Sequence, residues 1–189
     1  EERAIVGTTY KQKSREQAIK IGLPFFGNKM LPMVETVEKW LADFQKKNKT
    51  EHTTIYVHCW RGGMRSAAVA WLLDLYGFKV CQLIGGYKAY RNWVLQQFEK
   101  QYSLKVIGGY TGSGKTEILK ELLKQNHTVI DLEGLASHKG SAFGAIGQEK
   151  QPSQEMFENA LATQLFAFAD KTILIEDESQ RIGTVMLPT

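Results

Sequence analysis

Two glycine-rich loops in this 189-residue chain carry residue types that handle nucleophiles and anions. The first, CWRGGMRS at positions 59–66, sets a cysteine at the head of a loop with two glycines and two arginines. The second, GYTGSGKT at positions 109–116, fits the pattern G-x4-G-K-[ST] of a phosphate-binding loop. Few functions need both loops in one polypeptide, so the pairing narrows the function more than either loop alone.

The first loop predicts a nucleophilic thiol at Cys59. A β-branched and aromatic run over 53–58 predicts a buried strand that ends at Cys59, and a helix is predicted over 66–76. Backbone N–H groups at such a junction point inward, and Arg61 and Arg65 add positive charge, so we expect a lowered thiol pKa. The remaining residues of the predicted anion loop are Trp60, Gly62, Gly63, Met64 and Ser66.

The first loop, 59–66, is called the thiol loop below, and its residues are compatible with more than one role for Cys59. Cys59 to Arg65 also spells C-x5-R, the signature of phosphatases that form a phosphocysteine, and a buried, inert cysteine is the structural alternative. Cys81 lies mid-strand among apolar residues and is expected to pack in the core. The two cysteines stand in contexts too different for a disulfide framework, which favours a reduced cytoplasmic setting.

The second loop predicts a phosphate or diphosphate site. It follows a predicted strand over 104–107 and opens a predicted helix over 115–124, as the pattern requires. Lys115 would reach terminal phosphate oxygens, and Thr116 could ligate Mg²⁺. The pattern does not identify the ligand as ATP, because any diphosphate fits such a cradle. The predicted phosphate-binding residues are Gly109, Gly112, Ser113, Gly114, Lys115 and Thr116.

Acidic residues follow two further predicted strands. Glu176 and Asp177 end an apolar strand over 172–175 and are candidates for the acid that holds Mg²⁺, with Asp177 and Thr116 taken as the candidate metal ligands. Asp131 and Glu133 end a strand predicted over 128–132 and are weaker, substrate-facing candidates.

A polar segment follows the second of these strands. Residues 137–144, with His138 and Lys139, are expected to contact substrate near the phosphate site, and a surface loop is an equal alternative.

The order of elements predicts an α/β fold with two parallel-sheet domains, over 1–101 and 102–189. A short helix is predicted from Ser14 to Gly22, a loop over 22–32 because of its prolines and glycines, and an amphipathic helix over 33–47. A strand over 79–84, a Gly85-Gly86 turn and a helix over 87–100 complete the first domain.

Composition sets broad limits on function. The chain is 43% hydrophobic and 23% charged, which is typical of globular proteins. No apolar run is long enough to span a membrane, and the start carries no signal-peptide pattern. A net charge of +4 and a pI near 9.0 permit an RNA partner without establishing one.

The residues also resemble known families. The strand, the Cys59 loop, the following helix and GGYKAY at 85–90 resemble the rhodanese (sulfurtransferase) domain. Over nearly its whole length the chain resembles the tRNA 2-selenouridine synthase family, in which a rhodanese-like domain precedes a P-loop NTPase-like domain. The motifs that carry this resemblance are ERAIVGTTYK at 2–11, the two loops, DLEGLASHKGSAFG at 131–144, FENAL at 157–161 and EDES at 176–179.

The resemblance implies a transferase acting on the wobble 2-thiouridine in the tRNA anticodon loop. That base is S-geranylated with geranyl diphosphate, and selenium from selenophosphate then replaces the geranylthio group. The residue matching the rhodanese cysteine, Cys59, would serve the selenium step as a selenylated intermediate. No tightly bound cofactor is implied beyond Mg²⁺ at the P-loop, and a selenophosphate supplier is an expected partner. Both domains are expected to continue beyond this sequence.

Two other classes of function compete with this one. The first is a rhodanese-type sulfurtransferase, or a C-x5-R phosphatase, fused to a small-molecule kinase. The second is a nucleotide-gated RNA-binding protein with a vestigial thiol loop, for which Cys59→Ser would leave the activity intact.

Overall fold

The computed structural model describes residues 1–51, 53–110, 112–140 and 144–188, and the chain divides into two compact units, Glu1–Tyr87 and Lys88–Thr189. The helices are α1 (Glu2–Gln12), α2 (Arg15–Asn48), α3 (Met64–Tyr76), α4 (Gly86–Phe98), α5 (Lys115–Lys124), α6 (Leu132–Ala136) and α7 (Gln154–Ala167). The strands are β1 (Thr54–Val57), β2 (Lys79–Gln82), β3 (Leu104–Ile107), β4 (Val129–Ile130), β5 (Ile173–Glu176), β6 (Arg181–Ile182) and β7 (Val185–Met186). The domain boundary expected after residue 101 stays a prediction.

The first unit contains the expected strand–helix–strand arrangement. β1 and β2 pair in parallel, with Ile55 opposite Val80, and α3 forms the crossover between them. Gly77 ends α3 in the left-handed conformation at a φ of 108°, as its position after the apolar run predicts. Leu72 and Leu73 of α3 are buried against the inner face of the sheet and against α2, so one apolar core holds the unit together.

The loop predicted over 22–32 is wrong, because α2 continues through both Pro24 and Pro32. Ser14 does begin this helix, since its hydroxyl accepts a hydrogen bond from the Gln17 amide. A proline inside a helix costs about 3 kcal/mol or more. An apolar stripe at helical spacing packs along α2 into the core and offsets that cost: Phe26, Met30, Met33, Val34 and Val37.

The prediction that Cys81 packs in the core is also wrong. Cys81 lies opposite Tyr56 in the parallel register, and both side chains are exposed. Successive residues of a strand face opposite sides of the sheet, so Ile55 and Val80 take the inner face and their neighbours the outer one. The apolar neighbours of Cys81 in the sequence do not show which face of β2 the core covers.

The second unit is built on a three-stranded parallel sheet in the order β3-β5-β4. The central strand β5 buries Ile173 fully, and Phe157 and Leu161 of α7 cover it together with Ile130 of β4. Ser153 begins α7 by accepting a hydrogen bond from the Met156 amide, as predicted for the segment at Pro152. Parallel sheets in both units confirm the predicted α/β class.

Two local features of the second unit differ from expectation. The strand predicted over 128–132 stops at Ile130, because the Asp131 carboxylate accepts the Gly134 amide and begins α6. β6 and β7 form a short antiparallel hairpin that was not predicted. Gln151 joins that hairpin to α6, since its amide nitrogen donates to the carbonyl oxygens of Ala136 and Ile182.

Candidate functional site

Cys59 lies two residues beyond β1, in the loop that leads into α3. Gly63 is the N-cap of α3, and Ser66 in the first turn of that helix is almost fully buried. The thiol of Cys59 is half-buried, and its sulfur lies 3.3 Å from the hydroxyl oxygen of Ser66. The predicted strand end, loop and helix start therefore form, and they bring Ser66 to the sulfur.

The surroundings of Cys59 favour the thiolate. The Ser66 hydroxyl is the main cause that lowers the thiol pKa, to about 6; burial opposes it, and backbone N–H groups at Ser66, Gly63 and Arg61 assist. A thiolate in a cradle of N–H donors beside a helix N-terminus is the usual arrangement of a reactive cysteine. The predicted lowered pKa and the loop's N–H cradle are thus present.

Gln82 is a member of this site that the sequence analysis missed. Its amide nitrogen donates to the Ser66 hydroxyl oxygen at 3.0 Å, so the hydroxyl's own proton is directed to Gly63 or to the Cys59 sulfur. Gln82 ends β2, and the carboxyl ends of neighbouring parallel strands meet at one edge of a sheet. A polar residue at the end of the second predicted strand was the signal available in the sequence.

The glycine turn after β2 closes against the Cys59 loop. Gly62 and Gly86 have φ values of 62° and 63°, and a Cβ on either would clash with the backbone of the other. Trp60 stacks at a tilt over Tyr87, with ring centroids 5.7 Å apart. The glycines predicted for a tight curl are needed because two backbone segments approach each other at van der Waals distance.

Cys59 faces an open groove of about 990 Å³ within the first unit. The groove runs between the α1–α2 hairpin and the Cys59 loop. Arg61, Gly63, Met64 and Arg65 line it together with Cys59. Both arginines predicted to assist the thiol are therefore on the groove side of the loop.

The second candidate site is the loop between β3 and α5. Gly112 and Gly114 adopt positive φ values of 80° and 83°, and Gly114 is the N-cap of α5. The Lys115 ammonium folds back to the Gly109 carbonyl oxygen at 3.0 Å. Strand, loop and helix thus have the arrangement that wraps amide groups around phosphate. Thr111, within this motif, lies outside the described residues.

Three carboxylates lie together at the start of α5, beside Thr116. Oxygen atoms of Glu133, Glu176 and Glu178 all lie within 4.8 Å of one another. The Thr116 hydroxyl lies 3.1 Å from a carboxylate oxygen of Glu133 and 3.1 Å from one of Glu176. The single hydroxyl proton of Thr116 can bond to only one of these two carboxylates at a time. The negative charge of the group is therefore not balanced by its hydrogen-bond donor.

Glu176 is the most buried member of this carboxylate group. Its side chain is 1% exposed, and its second oxygen, Oε1, has no hydrogen-bond partner among the described residues. Burial, and then the charge of Glu133, raises the pKa of Glu176. Burial and Glu133 likewise raise the pKa of Glu178, which the sequence analysis did not single out. A buried carboxylate without a partner is costly unless a proton or a cation joins it.

The other two acidic candidates are not part of this carboxylate group. Asp177 is exposed, and it is not part of the carboxylate group that surrounds Thr116. A carboxylate oxygen of Asp131 accepts a hydrogen bond from the Gly134 amide and so caps the start of α6. The structure thus brings Glu133 and Glu176 to the P-loop threonine, while Asp177 as a metal ligand stays a prediction.

The segment expected to contact substrate, 137–144, is described only in part. His138 buries Nδ1, which has no hydrogen-bond partner among the described residues, and the Lys139 amide donates to the Gly144 carbonyl. Residues 141–143 lie outside the described residues. The predicted role in substrate contact stays a prediction.

Two family models match this chain, one over each of the two loops. A family model for the rhodanese-like domain matches residues 9–92, and one described as the tRNA 2-selenouridine synthase AAA domain matches residues 102–189. Each match contains one of the two loops. The chain belongs to the tRNA 2-selenouridine synthase family.

Individual relatives match over the whole of this chain. Proteins named tRNA 2-selenouridine synthase from Shewanella halifaxensis and Sulfurovum sp. are 41% and 40% identical over 100% of the chain and 50% of their own length. The protein of that name from Nitrosomonas eutropha is 38% identical over 100% of the chain and 48% of its length. The chain therefore spans about half the length of these relatives.

A crystal structure of an N-terminal domain from Clostridium difficile 630 is also similar in sequence. It is 37% identical and covers 50% of this chain and 67% of its own, with a TM-score of 0.40. That structural likeness is too low to bear on the fold. Among the described residues no helix has the length and apolar character needed to cross a membrane.

Proposed function

We propose that this chain is the catalytic part of a cytoplasmic tRNA-modifying transferase. It converts wobble 2-thiouridine to 2-selenouridine through an S-geranyl-2-thiouridine intermediate, with geranyl diphosphate and selenophosphate as substrates. The observation that carries the proposal is the Cys59 thiol, whose pKa is lowered to about 6, beside a basic groove. Relatives named tRNA 2-selenouridine synthase support the choice of reaction.

The proposed reaction has two balanced transfers. In the first, the sulfur of 2-thiouridine displaces diphosphate from the geranyl chain, so a C–S bond forms as a C–O bond breaks and the base loses a proton. In the second, selenium replaces the geranylthio group at C2 of the base. Water takes the phosphoryl group of selenophosphate, and geranylthiol and phosphate leave. Neither transfer is a net oxidation or reduction.

We assign Cys59 to the selenium transfer. At neutral pH a thiol with a pKa of about 6 is mostly thiolate, and thiolate is the nucleophilic form. Arg61 and Arg65 line the same groove and supply positive charge for an anionic substrate such as selenophosphate. Ser66 and Gln82 act through hydrogen bonds that position and stabilise the sulfur.

We assign the P-loop to the diphosphate of geranyl diphosphate. Diphosphate must be neutralised as it leaves, and preorganised N–H donors with a lysine provide that. The N–H groups at the start of α5 and the Lys115 ammonium are the donors available. The Gly109 carbonyl that now holds Lys115 is a weak partner, so the ammonium can move to a phosphate oxygen.

A divalent cation fits the carboxylates beside this loop. The oxygen ligands that Mg²⁺ prefers are available here from Glu133, Glu176, Glu178 and Thr116. A cation would also give the unpartnered oxygen of Glu176 a partner. A bound Mg²⁺ would supply charge neutralisation to the leaving diphosphate. The three carboxylates would hold the cation, and their contacts with the Thr116 hydroxyl orient that side chain at the start of α5.

One experiment tests the whole proposal. Full-length protein is incubated with a tRNA that bears wobble 2-thiouridine and with geranyl diphosphate, with and without selenophosphate, and the digested nucleosides are read by mass spectrometry. We expect S-geranyl-2-thiouridine without selenophosphate and 2-selenouridine with it. Cys59→Ser should still geranylate and should lose selenation. Unchanged nucleoside with folded protein would favour the sulfurtransferase–kinase alternative.

A further inference from the structure

The rim of the groove beside Cys59 carries more positive than negative charge. Six of its lining residues are basic: Arg3, Lys11, Arg15, Lys29, Arg61 and Arg65. Glu2 is the one acidic residue among its described lining residues, and it forms an ion pair with Lys29. The rim therefore keeps a strong excess of positive charge, which attracts a polyanion.

The positive charges are too widely spread for a single small anion. Arg3 and Lys11 are eight residues apart on α1, which is about 12 Å along a helix axis. Arg15 follows at the start of α2, where its guanidinium lies 3.7 Å from the sulfur of Met64 at the Cys59 loop. One selenophosphate ion could contact only one end of this rim, whereas a chain of phosphates could follow all of it.

The floor of the groove is apolar and partly aromatic. Val6 of α1 and Phe25, Phe26 and Met33 of α2 line it, and Tyr10 stands 55% exposed on α1. Gly22 brings the helices together, since the Val6 side chain lies 3.5 Å from where its Cβ would be. At about 990 Å³ the groove is at the upper end of the usual range of roughly 300–1,000 Å³ for ligand sites.

A basic rim above aromatic side chains is the combination that binds single-stranded nucleic acid. Phosphates follow the positive charges, and bases stack on aromatic faces. The carboxylates of an acidic peptide would pair with the basic rim. Such a peptide has no bases to stack on the aromatic side chains of the floor. Cys59 is one of the residues that line the groove, so a base bound there would lie near the nucleophile.

We propose that the groove between the α1–α2 hairpin and the Cys59 loop binds a single-stranded RNA segment, with its phosphates along Arg3, Lys11 and Arg15. The reacting base, with its apolar sulfur substituent, then lies over the floor formed by Phe25, Phe26 and Met33. This assignment rests on the proposed function for the identity of the RNA. It makes the α1–α2 hairpin a positioning element for the base at Cys59.

The test compares charge removal inside and outside the groove. RNA binding by full-length protein is measured by fluorescence anisotropy with a labelled anticodon stem–loop that carries wobble 2-thiouridine, over a range of salt concentrations. Lys11→Gln with Arg15→Gln removes two charges from the rim. Lys46→Gln with Lys47→Gln is the matched control, because those exposed lysines lie in the last turn of α2 away from the groove.

We expect the groove variant to bind RNA at least about tenfold more weakly and the control within about twofold of the wild type. The slope of log K against log salt should fall by up to about 1.4 for the groove variant, because each phosphate that is no longer neutralised lowers the slope by roughly 0.7. Lys11→Arg with Arg15→Lys keeps both charges and should bind as the wild type does, which separates charge from folding.

Three outcomes would overturn the inference. They are equal affinities of the groove and control variants, no RNA binding by the wild type, and displacement of the RNA by polyglutamate as efficiently as by unlabelled RNA. The proposed function is tested apart from this by the nucleoside assay. A wild type that forms 2-selenouridine while the groove variant binds RNA normally would keep the function and reject the groove.

Discussion

The amide of Tyr87 donates a hydrogen bond of 2.9 Å to the carbonyl oxygen of Cys59. This bond joins the start of α4 to the thiol loop across the turn at Gly85 and Gly86. The backbones approach so closely that a Cβ on Gly86 would overlap the Cys59 carbonyl oxygen and the Gly62 amide nitrogen. The position of Cys59 therefore depends on a turn more than twenty residues later in the chain.

Gly86→Ala should destabilise the protein by about 2 kcal/mol or more. The new Cβ has no space, and the φ of 63° is itself unfavourable for alanine by about 1–2 kcal/mol. The measurement is urea unfolding followed by circular dichroism. Gly63→Ala is the control, because no atom lies within 4 Å of its Cβ position, and it should cost less than about 1 kcal/mol. Equal stabilities of the two variants would contradict this close approach.

Alkylation of Cys59 by iodoacetamide should accelerate with a midpoint near pH 6. The reactive form is the thiolate, so its fraction rises as the pH passes the lowered pKa. The rate is measured in a Cys81→Ser background, because Cys81 is exposed and would also react. Ser66→Ala removes the main stabilising hydrogen bond, and the midpoint should move up by roughly one to two pH units. A midpoint near 8.5 in the parent protein would refute a stabilised thiolate.

Lys115→Ala should abolish geranylation. The ammonium is the one flexible cation of the P-loop motif, and without it the leaving diphosphate loses its neutralising partner. Formation of S-geranyl-2-thiouridine is read by mass spectrometry with full-length protein. Lys120→Ala, at an exposed position on the same helix α5, should keep normal activity. Geranylation by the Lys115 variant at the normal rate would show that the P-loop serves another ligand.

Glu176→Gln should weaken divalent-cation binding by at least about tenfold. Its charge and its unpartnered oxygen are the strongest reasons to expect a cation there. Binding is measured directly with Mn²⁺ by electron paramagnetic resonance. Asp177→Asn is the neighbouring control, and it should change the affinity less than about twofold. The reverse pattern would assign the metal to Asp177, as the sequence alone suggested.

Some of this molecule is readable from local sequence signals. The bounds predicted for β3 and α5 agree with the structure at both ends, because an apolar strand, a glycine loop and a Lys-Thr helix start are short-range patterns. The capping roles of Ser14, Gly77 and Ser153 follow for the same reason: one side chain or one glycine decides each helix end.

The sequence by itself determined the two loops and the α/β class, and it predicted Cys59 as the nucleophile. Tertiary structure decided what depends on contacts between distant residues. Packing carries α2 through Pro24 and Pro32, strand alternation buries Glu176 and exposes Asp177, and neighbouring strand ends bring Gln82 to Ser66. The conformational preference of a short segment depends on its own residues, so the sequence reveals it. Whether a side chain is buried, and which atoms it contacts, depends on segments that are far apart in the sequence.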